Sequence, residues 1–364
     1  MAFNGIQKAP KIEPTEFGLF AYAKPTLTDD SDTGNRWVRG FSQEYLTRPN
    51  YVRNWDETSN VSFVISSNPG VAIYERVEPI FIEVEDQRST FDIPGEDRFD
   101  RVTKQLEGCT QKALEYELWN GEIILAKSLP NVYLSKSTVT VIGAGAAFSP
   151  TRAMSLLEHY AGEMSPAGEH GVIHLTRDAF FLIATNSGVF IHSEGKEHIQ
   201  TATGTPCVIG SGYTGDGPHT NISTVAVSGG NLVTVVTATP HYLVTGESVD
   251  IDAIVGAVDF GGIYTVTVVN STTFTFAKTT SNFTATAPTG YATAQMQGSD
   301  TAKWIYATGA VHAFLGEITV TNDSLAQGYD VSGNKNDMKI KAMRPAAAYF
   351  DPSIHLAVKV NLTA

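Results

Sequence analysis

Residues 96–120 read EDRFDRVTKQLEGCTQKALEYELWN, a proline-free run in which Phe99, Val102, Leu106, Cys109 and Ala113 recur at spacings of three and four. That period lays five apolar side chains along one stripe of an α-helix. Gly121 supplies a stop signal at its end. At the standard rise the helix would be about 36 Å long, a rod whose stripe forms the expected core contact.

Downstream, Ser149 caps and Pro150 opens a second expected helix, Pro150 to Met164, with Ala153, Leu157, Tyr160, Ala161 and Met164 as its buried face. A strand (172–175), a short helix from Asp178, a strand (189–192) and a core strand (206–210) follow, the last opening into a glycine-rich loop read as a flexible junction. From about 219 to 297 the chain turns small, β-branched and aromatic, with Lys278 its only basic residue. Strands are expected at 223–227, 232–238, 248–251, 264–269 and 273–277, which predicts a small inserted all-β domain. The host fold resumes at Lys303 and closes with strands near 316–320, 338–343, 346–350 and 354–360.

Upstream, two strands are expected at 72–77 and 80–84. The first seventy residues hold Pro10, Pro14, Pro25 and Pro49 together with Phe17, Phe20, Trp37, Phe41, Tyr45, Tyr51 and Trp55. A disordered arm is poor in aromatics, so this composition predicts an ordered arm and loop lying on other subunits.

Of 364 residues 42% are hydrophobic and 17% charged, for a formal net charge of −13. Tight phosphate binding needs clustered cations that displace counterions, and no such cluster occurs. Cys109 and Cys207 read as separate core thiols. No signal peptide or membrane-length apolar run is present, so a soluble protein made in the cytoplasm is expected. With the chain starting at Met1, removal of an N-terminal scaffold segment is not expected.

Motifs for chemistry are incomplete. Val141-Ile142-Gly143-Ala144-Gly145 imitates a dinucleotide fingerprint, but Phe148 holds the position that needs a small residue, and the helix begins only after Ser149. The loop 210–217 lacks the Lys-Ser/Thr of a phosphate loop. The run from Asp30 to Asn35 starts like a calcium loop, yet its twelfth position is Phe41 where a bidentate Glu is needed. His170, His174, His192 and His198 read as surface or interface histidines without metal-ligand spacing. Ser193 to Lys196 matches Ser-x-x-Lys without its companion motifs. No catalytic, cofactor or metal residue is assigned, and the chain is read as a non-enzyme.

The stretch from Asp86 to Glu122, with Ser89-Thr90-Phe91 and Glu115-Tyr116-Glu117-Leu118-Trp119-Asn120-Gly121, resembles major capsid proteins of tailed phages infecting actinobacteria. Trp37-Val38-Arg39-Gly40-Phe41, the run Trp304 to Val311, Leu315-Gly316-Glu317, Asn334-Lys335-Asn336 and Tyr349-Phe350-Asp351 extend the resemblance over roughly three quarters of the chain. It implies an α+β fold of the Hong Kong 97 type: N-terminal arm 1–18, extended loop 19–70, peripheral domain 71–164 with spine helix 96–120, and axial domain 165–218. The all-β domain 219–297 is an addition, and 298–364 returns to axial and peripheral strands.

The resemblance implies a structural subunit that assembles into an icosahedral phage head around double-stranded DNA, in hexamers and pentamers. Portal and scaffold proteins would join during assembly, in the host cytoplasm, and packaged DNA would be touched weakly. Trp37, Phe41, Tyr45, Tyr51 and Trp55 become candidate anchors on neighbouring subunits, and the inserted domain a candidate for decoration or host-glycan contact. The competing readings are a tail or baseplate component and, more distantly, a nucleotide-binding oxidoreductase resting on Gly143 and Gly145.

Overall fold

The computed structural model describes residues 15–27, 41–45, 50–52, 64–66, 73–89, 98–165, 171–187, 190–191, 199–322 and 337–363. Five helices are defined among them: α1 (Leu19–Ala23), α2 (Arg98–Asn120), α3 (Glu122–Ala126), α4 (Pro150–Met164) and α5 (Arg177–Ser187). With three larger sheets they make a mixed α+β chain.

The first sheet runs 26–27, 311–315, 337–350 and 319–322, with Ile80–Ser89 laid along the other edge of Asp337–Phe350. Two strands expected separately, 338–343 and 346–350, are one strand of 14 residues. Pro345 does not break it. Its partner on one side, 311–315, ends opposite Ala346, and 319–322 begins opposite Met343. A residue's N–H and C=O point to the same side of an antiparallel strand, and the carbonyl of Pro345 takes the N–H of Gly316 in that gap. The missing proline N–H therefore falls where no ladder bond is due.

Helix α2 packs across 80–89 and 337–350. Its buried line runs Val102, Leu106, Thr110, Leu114, Leu118, and its last four residues, Glu117 to Asn120, are buried as well. The expected stripe alternated spacings of three and four. A line of fours instead winds about 40° round the helix at each step, which leaves Cys109 and Ala113 half-buried. Phe99, ahead of the first buried turn, is 47% exposed and is not a core residue of this chain.

The second sheet runs 190–191, 199–201, 206–210, 172–176, 302–308, 355–361 and 140–141, with 147–148 pairing 355–361. Helices α4 and α5 bury Ala153, Met154, Leu157, Ala161, Ala179 and Ile183 in the core of this sheet. Tyr160, expected on that face, is 38% exposed. The third sheet has nine strands, all from consecutive chain between His219 and Met296. The strand 273–277 lies where expected, whereas 264–269 divides at Val266, whose N–H goes to Glu247 O.

Residues 15–27 lie on their own chain. The N–H of Ile209 reaches Phe17 O at 2.9 Å, Leu19 is fully buried, and Thr26–Leu27 adds parallel to 311–315. These residues are held within their own chain: the Leu19 and Thr15 N–H groups donate to the Glu115 and Gln111 side chains of α2, and Phe17 O accepts the Ile209 N–H. The chain thereby straps the first sheet to the second.

Candidate functional site

The C-terminal half of α2 is the point where the strap, the glycine loop and the third sheet meet. Glu115 is fully buried, and among the described residues it has no ion-pair partner. Its Oε1 accepts the Leu19 N–H at 2.9 Å and Gln111 Nε2 at 2.7 Å. Its Oε2 accepts the Gly212 N–H at 2.9 Å and the Ser211 hydroxyl at 3.1 Å. Gln111 in turn takes the Thr15 N–H at 3.1 Å. One carboxylate thus ties strap to loop through charge-assisted hydrogen bonds.

The loop 210–217 is not the flexible junction expected. A Cβ on Gly212 would stand 2.2 Å from the carbonyl of Lys112, one on Gly210 would meet the Tyr213 ring, and one on Gly217 would meet the Trp304 indole. Its carbonyl at Asp216 accepts both Trp119 Nε1 (3.1 Å) and the Tyr306 hydroxyl (3.0 Å). The glycines serve close approach to α2, the Tyr213 ring and the Trp304 indole, not to a phosphate. The fingerprint-like run 142–145 is a tight turn with Gly143, Ala144 and Gly145 left-handed. Tyr242 of the third sheet seats against Gly145, where a Cβ would lie 2.7 Å from the Tyr242 Cβ. Steric packing of this kind fills the space a pyrophosphate would need.

A second tie crosses from the third sheet to the second. Lys359, 2% exposed, meets Glu247 Oε1 at 2.5 Å. Burial raises the carboxyls of Glu117 and Asp216 above their ordinary range, although Glu117 caps the N–H groups of Ile123 and Ile124.

His174 is a core residue and not a surface one: its ring bonds Tyr213 Oη at 2.8 Å and Thr308 Oγ1 at 2.9 Å. His170, His192 and His198 lie outside the described residues, as do the loop 30–35 and the run 193–196. Burial depresses His174 to about 3 and His219 and His355 to about 4, from an ordinary 6.5. Depressed values mean that the unfolded chain takes up these protons first, so the stability they confer is full above about pH 6.5 and fades as pH falls toward 4. The raised carboxyls act in the opposite sense and offset part of this. Urea unfolding at stepped pH is expected to show a net loss of a few kcal/mol across that window, at about 1.4 kcal/mol per pH unit of depression; a flat profile would contradict it.

Among the sequence-expected site residues, Val102 and Leu106 are buried against the first sheet. For Phe41, Tyr45 and Tyr51 only the backbone is described, in the ladders 41–45 with 73–77 and 50–52 with 64–66. Trp37 and Trp55 lie outside the described residues. Lys359 is not singled out by the sequence, and Glu115 and Trp119 enter it only within the run 115–121 that carries the resemblance, with no site role assigned. A carboxylate inside a charged helix and a lone lysine in a strand carry no local signal of burial.

No protein-family model and no curated protein matches the chain. Solved structures similar to it include a chain of Mycobacterium phage Adephagia, at 10% identity over 99% of this chain and 94% of that one, with a TM-score of 0.45. A chain of Microbacterium phage Oxtober96 is similar at 11% identity, over 99% and 96%, with a TM-score of 0.43. The capsid of an empty GTA particle is similar at 8% identity, over 98% and 95%, with a TM-score of 0.44. Similarity at that level leaves the function to the chain's own residues.

Proposed function

We propose that this chain is the major capsid protein of a tailed phage, a subunit that assembles with its own copies into a closed shell around double-stranded DNA. The observation that carries the reading is α2, a rod of 23 residues laid across the long antiparallel ladder of 80–89 and 337–350. Its C-terminal end carries the Glu-Leu-Trp run of the resemblance. In this reading α2 is the spine helix, the first sheet belongs to the peripheral domain, and the second sheet with α4 and α5 belongs to the axial domain. Residues 219–297 form an inserted β domain available for decoration or glycan contact. Portal and scaffold proteins are further partners of assembly.

A shell works by repeated heterologous contacts that close on themselves, each modest and together strong. Trp37, Phe41, Tyr45, Tyr51 and Trp55 are proposed as anchors of the extended loop on neighbouring copies, since large aromatics dominate interface energetics. Electron microscopy of the purified protein tests the function: closed shells or capsomer rings support it, whereas stacked tubes or compact small oligomers reject it. Trp37→Ala and Trp55→Ala should each raise the protein concentration needed for shell formation about tenfold, the equivalent of 1.4 kcal/mol. Shells forming at unchanged concentration would remove these residues from the interface.

A further inference from the structure

A groove of about 410 Å³ lies between the end of α2 and the outer face of the third sheet. Strand pairing builds its floor: Asp250, Gln295 and His219 stand side by side across three strands, with Asp252 and Thr293 in the next row. Glu122 and Asp216 also line it, and among the described residues no lysine or arginine does. Four carboxylates therefore share one recess, and of these only Asp216 feels a nearby cation among the described residues, Lys303.

His219 adds an independent sign that a donor is missing. It lines the groove and is 9% exposed. Its Nε2 lies 3.0 Å from the carbonyl of Asn120, which can only accept, so Nε2 carries the proton. Nδ1 is then a bare acceptor, and it is buried with no partner. Among the described residues no three His, Cys, Asp or Glu side chains converge to hold a metal ion. Acceptors this dispersed suit a cation that spreads several N–H donors over a plane, as a guanidinium does.

We propose that the groove receives an arginine of a neighbouring copy of this chain, an intersubunit contact that rests on the shell reading. The complement is available on the same molecule. Arg152 and Arg177 are exposed, and among the described residues neither has an ion-pair or side-chain hydrogen-bond partner. Both sit in the first turn of a helix, α4 and α5, where the helix dipole disfavours a cation. A carboxylate groove on the neighbour relieves that mismatch.

The test is shell assembly followed by light scattering across a salt series, with thermal melting as a control for folding. Asp250→Asn combined with Asp252→Asn removes two mutually repelling charges and should not lower the melting temperature. Assembly should need about tenfold more protein and lose much of its salt dependence. Arg152→Glu or Arg177→Glu should reproduce the loss, and joining it to the aspartate changes should add little, as for two partners of one contact. Assembly of the aspartate variant at wild-type concentration overturns the proposal, as do full additivity and two silent arginine variants. Assembly rescued by magnesium or calcium only when both aspartates are present would make the groove a metal site and overturn it too. A wild-type protein that forms no shell in any salt would instead reject the shell reading itself.

Discussion

Replacing Glu115 with leucine should cost about 3–5 kcal/mol in urea unfolding, more than loss of one typical hydrogen bond. The side chain accepts four donors in a fully buried place. Each buried donor left unsatisfied costs about 1–3 kcal/mol, and the Leu19 and Gly212 amides cannot turn elsewhere. Glu115→Gln keeps volume and one acceptor oxygen but presents an NH₂ to two donors, so an intermediate loss of about 1–3 kcal/mol is expected. Hydrogen exchange gives the more specific readout. The Leu19 and Ile209 amides, which secure the strap, should lose protection in Glu115→Leu well before the amides of 337–350 do. Uniform loss across the protein would mean that Glu115 supports general stability and does not hold the strap. A stability change under 1 kcal/mol would remove the hub altogether.

The difference between Glu115 and the residues that the sequence did reveal is one of range. Helix α4 is legible from Ser149 and Pro150 because a helix start is decided within one turn, although the Ser149 side chain makes no capping hydrogen bond. The strand 273–277 was legible because alternating Phe274 and Phe276 are buried and their neighbours are not. The single strand 337–350 was hidden because Pro345 reads as a breaker until the gap between its two partner strands is known. The loop 210–217 misled for the same reason: glycine signals freedom locally, and only the Lys112 carbonyl 2.2 Å from a would-be Cβ shows that it signals contact. On α2 the period placed Val102 and Leu106 well, yet the drift of the buried line past Cys109 and Ala113 depends on the sheet it crosses. Glu115 and Gln111 look like members of a solvated face. Their burial follows from the strap, which the sequence offers no local means to dock. Of the candidate anchors, the legible part is the aromatic composition, and the partners proposed for them lie on other copies.

The Lys359–Glu247 pair should respond asymmetrically to mutation, and the asymmetry separates a structural tie from an incidental contact. Lys359 stands in the strand 355–361 with 2% of its side chain exposed, while Glu247 is 24% exposed. Glu247→Ala strands an ammonium in the core, and breaking a buried pair in this way costs about 3–5 kcal/mol. Lys359→Met fills the same space with an apolar chain and leaves a carboxylate that can turn partly to water. The cost there should be about 1 kcal/mol or less, because well-packed apolar replacements of buried ions are often neutral. The double variant should fall close to Lys359→Met alone, giving a coupling of at least 2 kcal/mol between sites in direct contact. Since the pair joins the third sheet to the second, Glu247→Ala should also loosen their junction, seen as faster exchange at the Trp304 and Gly217 amides. Equal losses for the two single variants would show that Lys359 is solvated in solution, and the tie between the sheets would then rest on contacts such as Tyr242 against Gly145, Trp304 Nε1 on Met296 Sδ and the Gly217 N–H on Met296 O.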